Sequence, residues 1–217
     1  HNTFNPVHFN VSKYRTKHGF LWYHAQALYF LLKNSRVAAE HNKLRDRLGL
    51  TGSRCLAIHI RHGDSCHDEF QNHRICLPLL SYIKAARRLE RRYGRFDKIF
   101  LATDDQHVVA ATKNFANEFD IVFQDIDRGF YDSNDHNGVD VRPDFNEVSR
   151  IREITSDIWA MGHCHALVGS FASSVAWVAY EFMVAHHGMF MPFESVDMAY
   201  GHSKNVGRFF ENADEVS

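Results

Sequence analysis

The segment His59-Ile-Arg61-His-Gly63-Asp64 combines residue types that suit the binding of an anionic ligand. It overlaps and follows a short apolar run over 55–60, which predicts a buried strand. Arginine stays charged at all physiological pH values and binds phosphate oxygens in a bidentate manner, and a glycine permits a tight turn. We therefore predict that Arg61 binds a phosphorylated ligand. The alternative is a structural Arg61–Asp64 pair beside a buried His59.

Two further segments place acids or hydroxyl groups next to the start of a helix. Thr103-Asp104-Asp105 follows a second apolar run, and Ser173-Ser174 opens the last helical pattern of the chain. Free N–H groups at a helix N-terminus favour bound anions. Capping is the alternative for Asp105 and for both serines, because acids and serines are common N-caps.

Other ligand-binding signatures are missing or incomplete. The sequence contains no G-x-x-x-x-G-K-[ST], G-x-G-x-x-G or G-x-S-x-G motif, which argues against P-loop enzymes, dinucleotide enzymes and standard α/β-hydrolases. A metal site is an alternative, although zinc-type ligand spacing is absent. Its candidate ligands are His59, His62, Cys66, His67, His73, Cys76 and His163-Cys164-His165. Cys66 and Cys76 suit a local disulfide at least as well.

Strands that alternate with helices predict an α/β fold whose parallel sheet is covered on both faces. The predicted helices cover 21–32, 37–48, 78–93, 104–117, 147–163 and 174–186, and the predicted strands cover 55–60, 98–102, 121–123 and 166–170. Residues 61–77 and the acidic stretch 124–146 are predicted loops. Ligands bind at the carboxyl ends of strands in such sheets, so the polar segments should line one crevice.

Composition bounds the classes of function. The 217 residues predict a leading segment over 1–20 and one domain over 21–217, with 45% hydrophobic residues to build a core. Lys and Arg number 25 against 26 Asp and Glu, so no overall charge excess drives binding to nucleic acid or to a membrane surface. The sequon at Asn10 weakly favours a luminal setting.

These segments together resemble the α-1,6-fucosyltransferases, which include the core fucosyltransferase of N-glycans and the bacterial nodulation-factor enzyme. The resemblance rests on the 59–64 motif, on Phe100–Asp105, on Leu167–Ser174 and on Val178–Glu181, and it covers roughly residues 20–205. It implies two facing Rossmann-like halves of GT-B type, of which this chain would be the carboxyl-terminal, donor-binding half. The amino-terminal acceptor half would be missing.

The resemblance also implies roles for individual residues. His59 and Asp157 would contact guanine, Arg61 the diphosphate and Ser173 the nucleotide, while Glu69 would be the catalytic base. Arg61 and Glu69 would be the catalytic pair, with GDP-fucose as donor and no divalent metal. The implied donor-binding residues are His59, Arg61, Gly63, Asp64, Asp104, Asp105, Asp157, Phe171, Ser173 and Ser174.

The resemblance sets the expected function, and two alternatives remain beside it. The expectation is an inverting transfer of fucose to a glycan hydroxyl, in the Golgi lumen if the source is eukaryotic. A protein O-fucosyltransferase would share the donor chemistry. A non-catalytic nucleotide-sugar-binding module would bind without turnover.

Overall fold

The computed structural model describes Ala25 and residues 35–66, 76–129 and 147–197. The helices are α1 (Ser35–Arg47), α2 (Leu79–Tyr93), α3 (Gln106–Ala111), α4 (Glu147–Gly162) and α5 (Ser174–His187). The strands are β1 (Cys55–Ile60), β2 (Lys98–Thr103), β3 (Ile121–Phe123), β4 (Ala166–Gly169) and β5 (Phe193–Ser195). Short 3-10 turns cover Gly63–Cys66 and Thr112–Phe115.

The five strands within the described residues run parallel in one sheet with the order β3-β2-β1-β4-β5. The chain moves outward from β1 to β3 on one side and then returns to build β4 and β5 on the other. This order has its topological switch point between β1 and β4, where ligands bind in doubly wound sheets. The register pairs His59 with Gly169 at the carboxyl end of these two strands.

Helices cover both faces of the sheet, as the alternating sequence pattern predicts. Leu56, Ile58 and Ile60 of β1 are fully buried on the face that α2 covers. Ala57 of β1 lies on the opposite face, which α4 and α5 cover. A strand buried on both faces must be apolar at nearly every position, and this explains why His59 is the one polar residue of β1.

The structure differs from the predicted elements in three places. The helix predicted over 104–117 begins only at Gln106, because Asp105 caps it, and ends at Ala111 before a 3-10 turn. Part of the predicted loop 61–77 forms a 3-10 turn, and β5 was not predicted. The helix predicted over 21–32 lies outside the described residues, apart from Ala25, which is helical and buried.

Two disulfides use all four cysteines. Cys55 at the start of β1 pairs with Cys164 just before β4, with a Cα–Cα distance of 4.8 Å. Cys66 pairs with Cys76 at 6.0 Å, so the proposed local disulfide is present. The first bond joins two strands that are 109 residues apart in sequence but adjacent in the sheet. These cysteines are therefore structural in this protein and do not supply metal ligands.

Four histidines cluster between the end of α5 and the segment that precedes β4. The ring centroids of His163 and His186 are 3.9 Å apart, those of His186 and His187 are 4.8 Å apart, and those of His165 and His187 are 5.5 Å apart. Burial, together with the charge of neighbouring groups that include Arg45, lowers the pKa of all four. The pKa of His163 falls to about 2 and that of His186 to about 4.

This cluster predicts an acid-sensitive fold. Below pH 6.5, His163 is protonated in the unfolded chain but stays neutral in the folded protein. The free energy of unfolding therefore falls as the pH falls. One such histidine lowers stability by about 1 kcal/mol at pH 5.5, and the others add to this. Urea unfolding at pH 7.5 and at pH 5.5 measures the loss.

Two substitutions identify the source of the loss. In His163→Asn the amide nitrogen replaces Nδ1, which lies 2.7 Å from the Trp159 carbonyl oxygen, and the new side chain does not titrate. This variant should show a smaller loss of stability between the two pH values. The matched control is His107→Asn on the exposed surface of α3, which should leave the loss unchanged. An equal loss in all three proteins contradicts the explanation.

In the part of the chain that the structure describes, no helix is long and apolar enough to cross a membrane.

Candidate functional site

Arg61 and Asp104 form an ion pair at the carboxyl ends of β1 and β2. The Arg61 Nη1 donates to Asp104 Oδ2, and the amide of His62 donates to Asp104 Oδ1 at 2.8 Å. The Asp104 side chain is 9% exposed and the Arg61 side chain 24% exposed. The guanidinium of Arg61 therefore reaches solvent, while the more deeply buried carboxylate of Asp104 fixes its position. The partner of Arg61 comes from the neighbouring strand, 43 residues away.

His62 and Asp105 brace the same loop from its other side. The Nδ1 of His62 lies 2.9 Å from Asp105 Oδ2, and its Nε2 lies 3.0 Å from the Leu77 carbonyl oxygen. Asp105 Oδ1 also accepts the amide of His107 at 2.7 Å, so the capping role foreseen for Asp105 is confirmed. Burial opposes ionisation of Asp105, but hydrogen bonds from His62 and the His107 amide outweigh it and lower the pKa. Asp105 is thus an ionised structural link between the loop and α3.

Gly63 lets this loop pass close to Asp104. Its φ of +31° lies in the region that favours glycine. A Cβ atom at this position would lie 2.5 Å from Asp104 Oδ2 and 3.2 Å from Arg61 Nη1. Any side chain here would push the ion pair apart. The glycine is therefore required by the geometry of the pair as well as by the turn.

Asp197 organises the turn that precedes α5. Its carboxylate accepts the Phe171 amide at 2.9 Å, the Ala172 amide at 3.4 Å and the Ser170 hydroxyl. The Ser195 hydroxyl donates to the same carboxylate at 2.9 Å. The end of β5 thereby fixes the turn at the carboxyl end of β4. Since these two amides are committed to Asp197, a bound anion would use the first amides of α5, which lack acceptors within the helix.

Ser173 and Ser174 differ in their surroundings. Ser173 is the N-cap of α5 and is 3% exposed, but its side chain makes no capping hydrogen bond. Ser174, the first residue of the helix, is exposed. The ring of Phe171 is buried and packs against Phe193 at a centroid distance of 5.3 Å. Phe171 is thus a core residue that supports the turn.

Arg128 and Asp157 form a second charged region beside the carboxyl end of β2. Arg128 is 3% exposed and donates to the carbonyl oxygens of Thr103 at 3.0 Å and Gln124 at 2.6 Å. Asp157 on α4 has a buried Oδ1 without a hydrogen-bond partner among the described residues. Burial raises the pKa of Asp157 to about 7, although the charge of Arg128 opposes this rise. An unpartnered buried acceptor is costly unless a ligand satisfies it.

Two predicted residues cannot be placed against these groups. Glu69 lies outside the described residues, within the loop that the Cys66–Cys76 disulfide closes. Asp64 belongs to the 3-10 turn, but its side chain is not described. His59 is 5% exposed and lies in β1 beside Gly169, at the switch point of the sheet. Within the described ranges, no three His, Cys, Asp or Glu residues come together as a metal site.

Sequence reasoning missed Asp197 and Arg128. Asp197 gave no signal because β5, which positions it, has only three residues and no clear periodicity. Arg128 was visible as one of two arginines in the acidic stretch 124–146, where it lies between Asp127 and Asp132. A basic side chain among several acids can become the central group of a charged cluster when the segment folds.

Together these features define an α/β domain whose carboxyl edge, from β2 across β1 to β4, carries groups suited to a phosphorylated ligand. The guanidinium of Arg61 and the N-terminus of α5 lie at the carboxyl edge of the sheet, and one buried carboxyl oxygen of Asp157 lacks a hydrogen-bond partner among the described residues.

The chain belongs to the family described as alpha-(1,6)-fucosyltransferase N- and catalytic domains, which matches residues 10–200. The members of this family are enzymes. A comparison with curated proteins finds no match.

Solved structures of fucosyltransferases are similar in part. NodZ alpha-1,6-fucosyltransferase soaked with GDP-fucose is 17% identical with a TM-score of 0.44, over 69% of this chain and 42% of NodZ. NodZ from Bradyrhizobium is 15% identical with a TM-score of 0.43, over 68% of this chain and 42% of that one. POFUT1 in complex with GDP-fucose is 12% identical with a TM-score of 0.44, over 75% of this chain and 46% of POFUT1. The chain thus spans less than half the length of each.

Proposed function

We propose that this chain is the donor-binding half of an inverting α-1,6-fucosyltransferase of GT-B type and that it binds GDP-fucose between β1 and β4. The observation that carries the proposal is the partly exposed guanidinium of Arg61, held by Asp104 at the carboxyl ends of β1 and β2, next to the switch point of the sheet. Family membership supports the reaction class. The acceptor in this proposal is a glycan hydroxyl, which a separate acceptor-binding half helps to bind.

The nucleobase preference rests on Asp157. Guanine presents two donors, N1–H and the N2 amino group, to a single carboxylate. Adenine presents only one donor group, which lies next to an acceptor. The unpartnered Oδ1 of Asp157 suits the guanine pattern. His59 at the end of β1 is the second guanine contact that we propose, and Ser173 is a further nucleotide contact.

Transfer in this proposal needs one base and one stabilised leaving group. The acceptor oxygen attacks C1 of fucose while the bond from C1 to the phosphate oxygen breaks, and the hydroxyl proton passes to the Glu69 carboxylate. GDP leaves with the bonding electrons. Arg61 and the first amides of α5 stabilise its new charge, and no divalent metal takes part.

We place this reaction in an oxidising compartment, the Golgi lumen in a eukaryote. Both disulfides support that setting, because such bonds persist in secreted and luminal proteins and are rare in the cytosol.

Calorimetric titration with GDP, GDP-fucose, UDP and ADP, with and without EDTA, tests the proposal. We expect both guanine nucleotides to bind at least tenfold more tightly than UDP or ADP, with no effect of EDTA. Glu69→Gln should bind GDP within twofold of the parent, and in the full-length enzyme it should depress transfer at least a hundredfold.

Several outcomes would contradict the proposal. Equal binding of all four nucleotides removes the assignment of Asp157. Loss of binding in EDTA points to a metal site. Binding of GDP-fucose without transfer by the full-length enzyme would identify a non-catalytic module.

A further inference from the structure

Helix α2 presents its basic side chains on one side. Leu79, Tyr82 and Ile83 are among the residues that it buries against the sheet. At 3.6 residues per turn, the basic residues of the helix fall within an arc of roughly 140° on the opposite side. These residues, which we call the basic stripe, are Lys84, Arg87, Arg88, Arg91 and Arg92.

The basic stripe contains no acid. The one acid of α2, Glu90, lies outside the arc, and its Oε1 accepts the Phe96 amide at 3.1 Å. Five basic residues and Glu90 give the helix a charge of +4, whereas the whole chain has a charge of −1. The rest of the chain is therefore acidic, and the positive charge of this helix is a local feature that the overall balance conceals.

Among the described residues, acids from neighbouring elements pair with two members of the basic stripe. Arg87 donates to both oxygens of Glu118, at 2.7 and 2.6 Å, and Arg88 pairs with Glu194. Lys84, Arg91 and Arg92 are exposed. Like charges three or four positions apart repel each other and destabilise a helix. A bound polyanion would remove this repulsion.

We propose that the basic stripe docks a sulfated polysaccharide. Its length from Lys84 to Arg92 is about 12 Å at 1.5 Å per residue, which suits a linear chain with regularly spaced anionic groups. The guanidinium fork binds the oxygens of planar or tetrahedral anions in a bidentate manner.

The compartment favours this polyanion over two others. The two disulfides indicate an oxidising compartment, in which nucleic acid is not the abundant polyanion. The strongly anionic lipid leaflet of a membrane faces the cytoplasm. Sulfated polysaccharides carry their charge on the luminal and extracellular side.

The basic stripe is separate from the crevice at Arg61. Helix α2 leads from the carboxyl end of β1 back to the amino end of β2, so Arg91 and Arg92 lie near the opposite edge of the sheet. A polyanion on the stripe leaves the crevice accessible. Binding at the stripe and binding of GDP should therefore be independent.

Titration with a heparin octasaccharide at 0.15 M NaCl tests the proposal. In the triple variant Arg88→Gln, Arg91→Gln, Arg92→Gln, we expect affinity for the octasaccharide to fall at least tenfold. The matched control removes three exposed lysines or arginines elsewhere, Lys43→Gln, Arg47→Gln and Lys113→Gln, and should bind within twofold of the parent. Saturating GDP should not change the affinity of the parent.

Three results would overturn the proposal. An equal loss of affinity in both triple variants would show that the octasaccharide is attracted to positive charge in general and not to a specific site. Competition by GDP would place the octasaccharide at Arg61 instead. Tighter binding to duplex DNA or to phosphatidylserine vesicles at the same salt concentration would identify a different class of partner. Circular dichroism of both variants checks that each is folded, and the independence from GDP is measured on the parent protein alone.

Discussion

Arg61→Ala is expected to lower the affinity for GDP at least a hundredfold. The substitution removes the charged fork and leaves Asp104, which is 9% exposed, beside the incoming diphosphate without its cation. Hydrogen bonds to charged groups contribute about 1.5–3 kcal/mol each, and each 1.4 kcal/mol is a factor of ten in affinity. Calorimetric titration of the variant measures this loss.

Two comparisons separate binding from folding. Because the pair is partly solvated, its loss should lower the free energy of unfolding by only about 1 kcal/mol. Arg61→Lys keeps the charge without the fork and should recover part of the affinity. The matched control, Arg87→Ala, breaks the bidentate pair with Glu118 far from the crevice and should leave GDP binding unchanged. Normal affinity in Arg61→Ala would remove the main support for the proposed site.

Removing the Cys55–Cys164 disulfide is expected to have the largest effect on stability. The bond closes a separation of 109 residues, so its loss frees about 5 kcal/mol of chain entropy in the unfolded state. Both cysteines are buried, at 2% and 0% exposure, so replacement by alanine also leaves a cavity. Since domains are stable by about 5–15 kcal/mol, the double variant should be close to unfolding.

The second disulfide provides the matched comparison. Cys66 and Cys76 are 10 residues apart, and the same relation gives about 3 kcal/mol for their bond. Urea unfolding of the two double alanine variants should rank the Cys55–Cys164 pair as the more important by about 2 kcal/mol or more. Equal midpoints, or the reverse order, would show that residual structure in the unfolded chain controls the effect.

Periodicity predicted most of the sheet because each long strand carries its own local signal. The apolar run of β1 and the helical pattern of α2 identified both elements within one or two residues. Strand β5 carries Phe, Glu and Ser over three half-buried positions, so it resembles a loop in sequence. Its existence depends on pairing with β4, which no local pattern reports.

The same distinction applies to the site. Position after a strand identified Arg61 and Asp104 separately, but the sequence suggested Asp64 as the structural partner of Arg61. Only the register of β1 against β2 places the carboxylate of Asp104 next to the guanidinium of Arg61. Asp197 and Arg128 act through backbone groups of distant segments, so residue type and spacing could not identify their roles.

The two disulfides also impose an order on biosynthesis. During vectorial synthesis, Cys55 and Cys66 emerge from the ribosome long before Cys164, and they are about as close along the chain as the native pair Cys66 and Cys76. Until α4 and β4 have been made, Cys55 has only wrong partners. The cell must therefore keep this thiol reduced or reshuffle its bonds by thiol–disulfide exchange. Production of this protein should depend on an isomerase-containing compartment more strongly than its two disulfides alone would suggest.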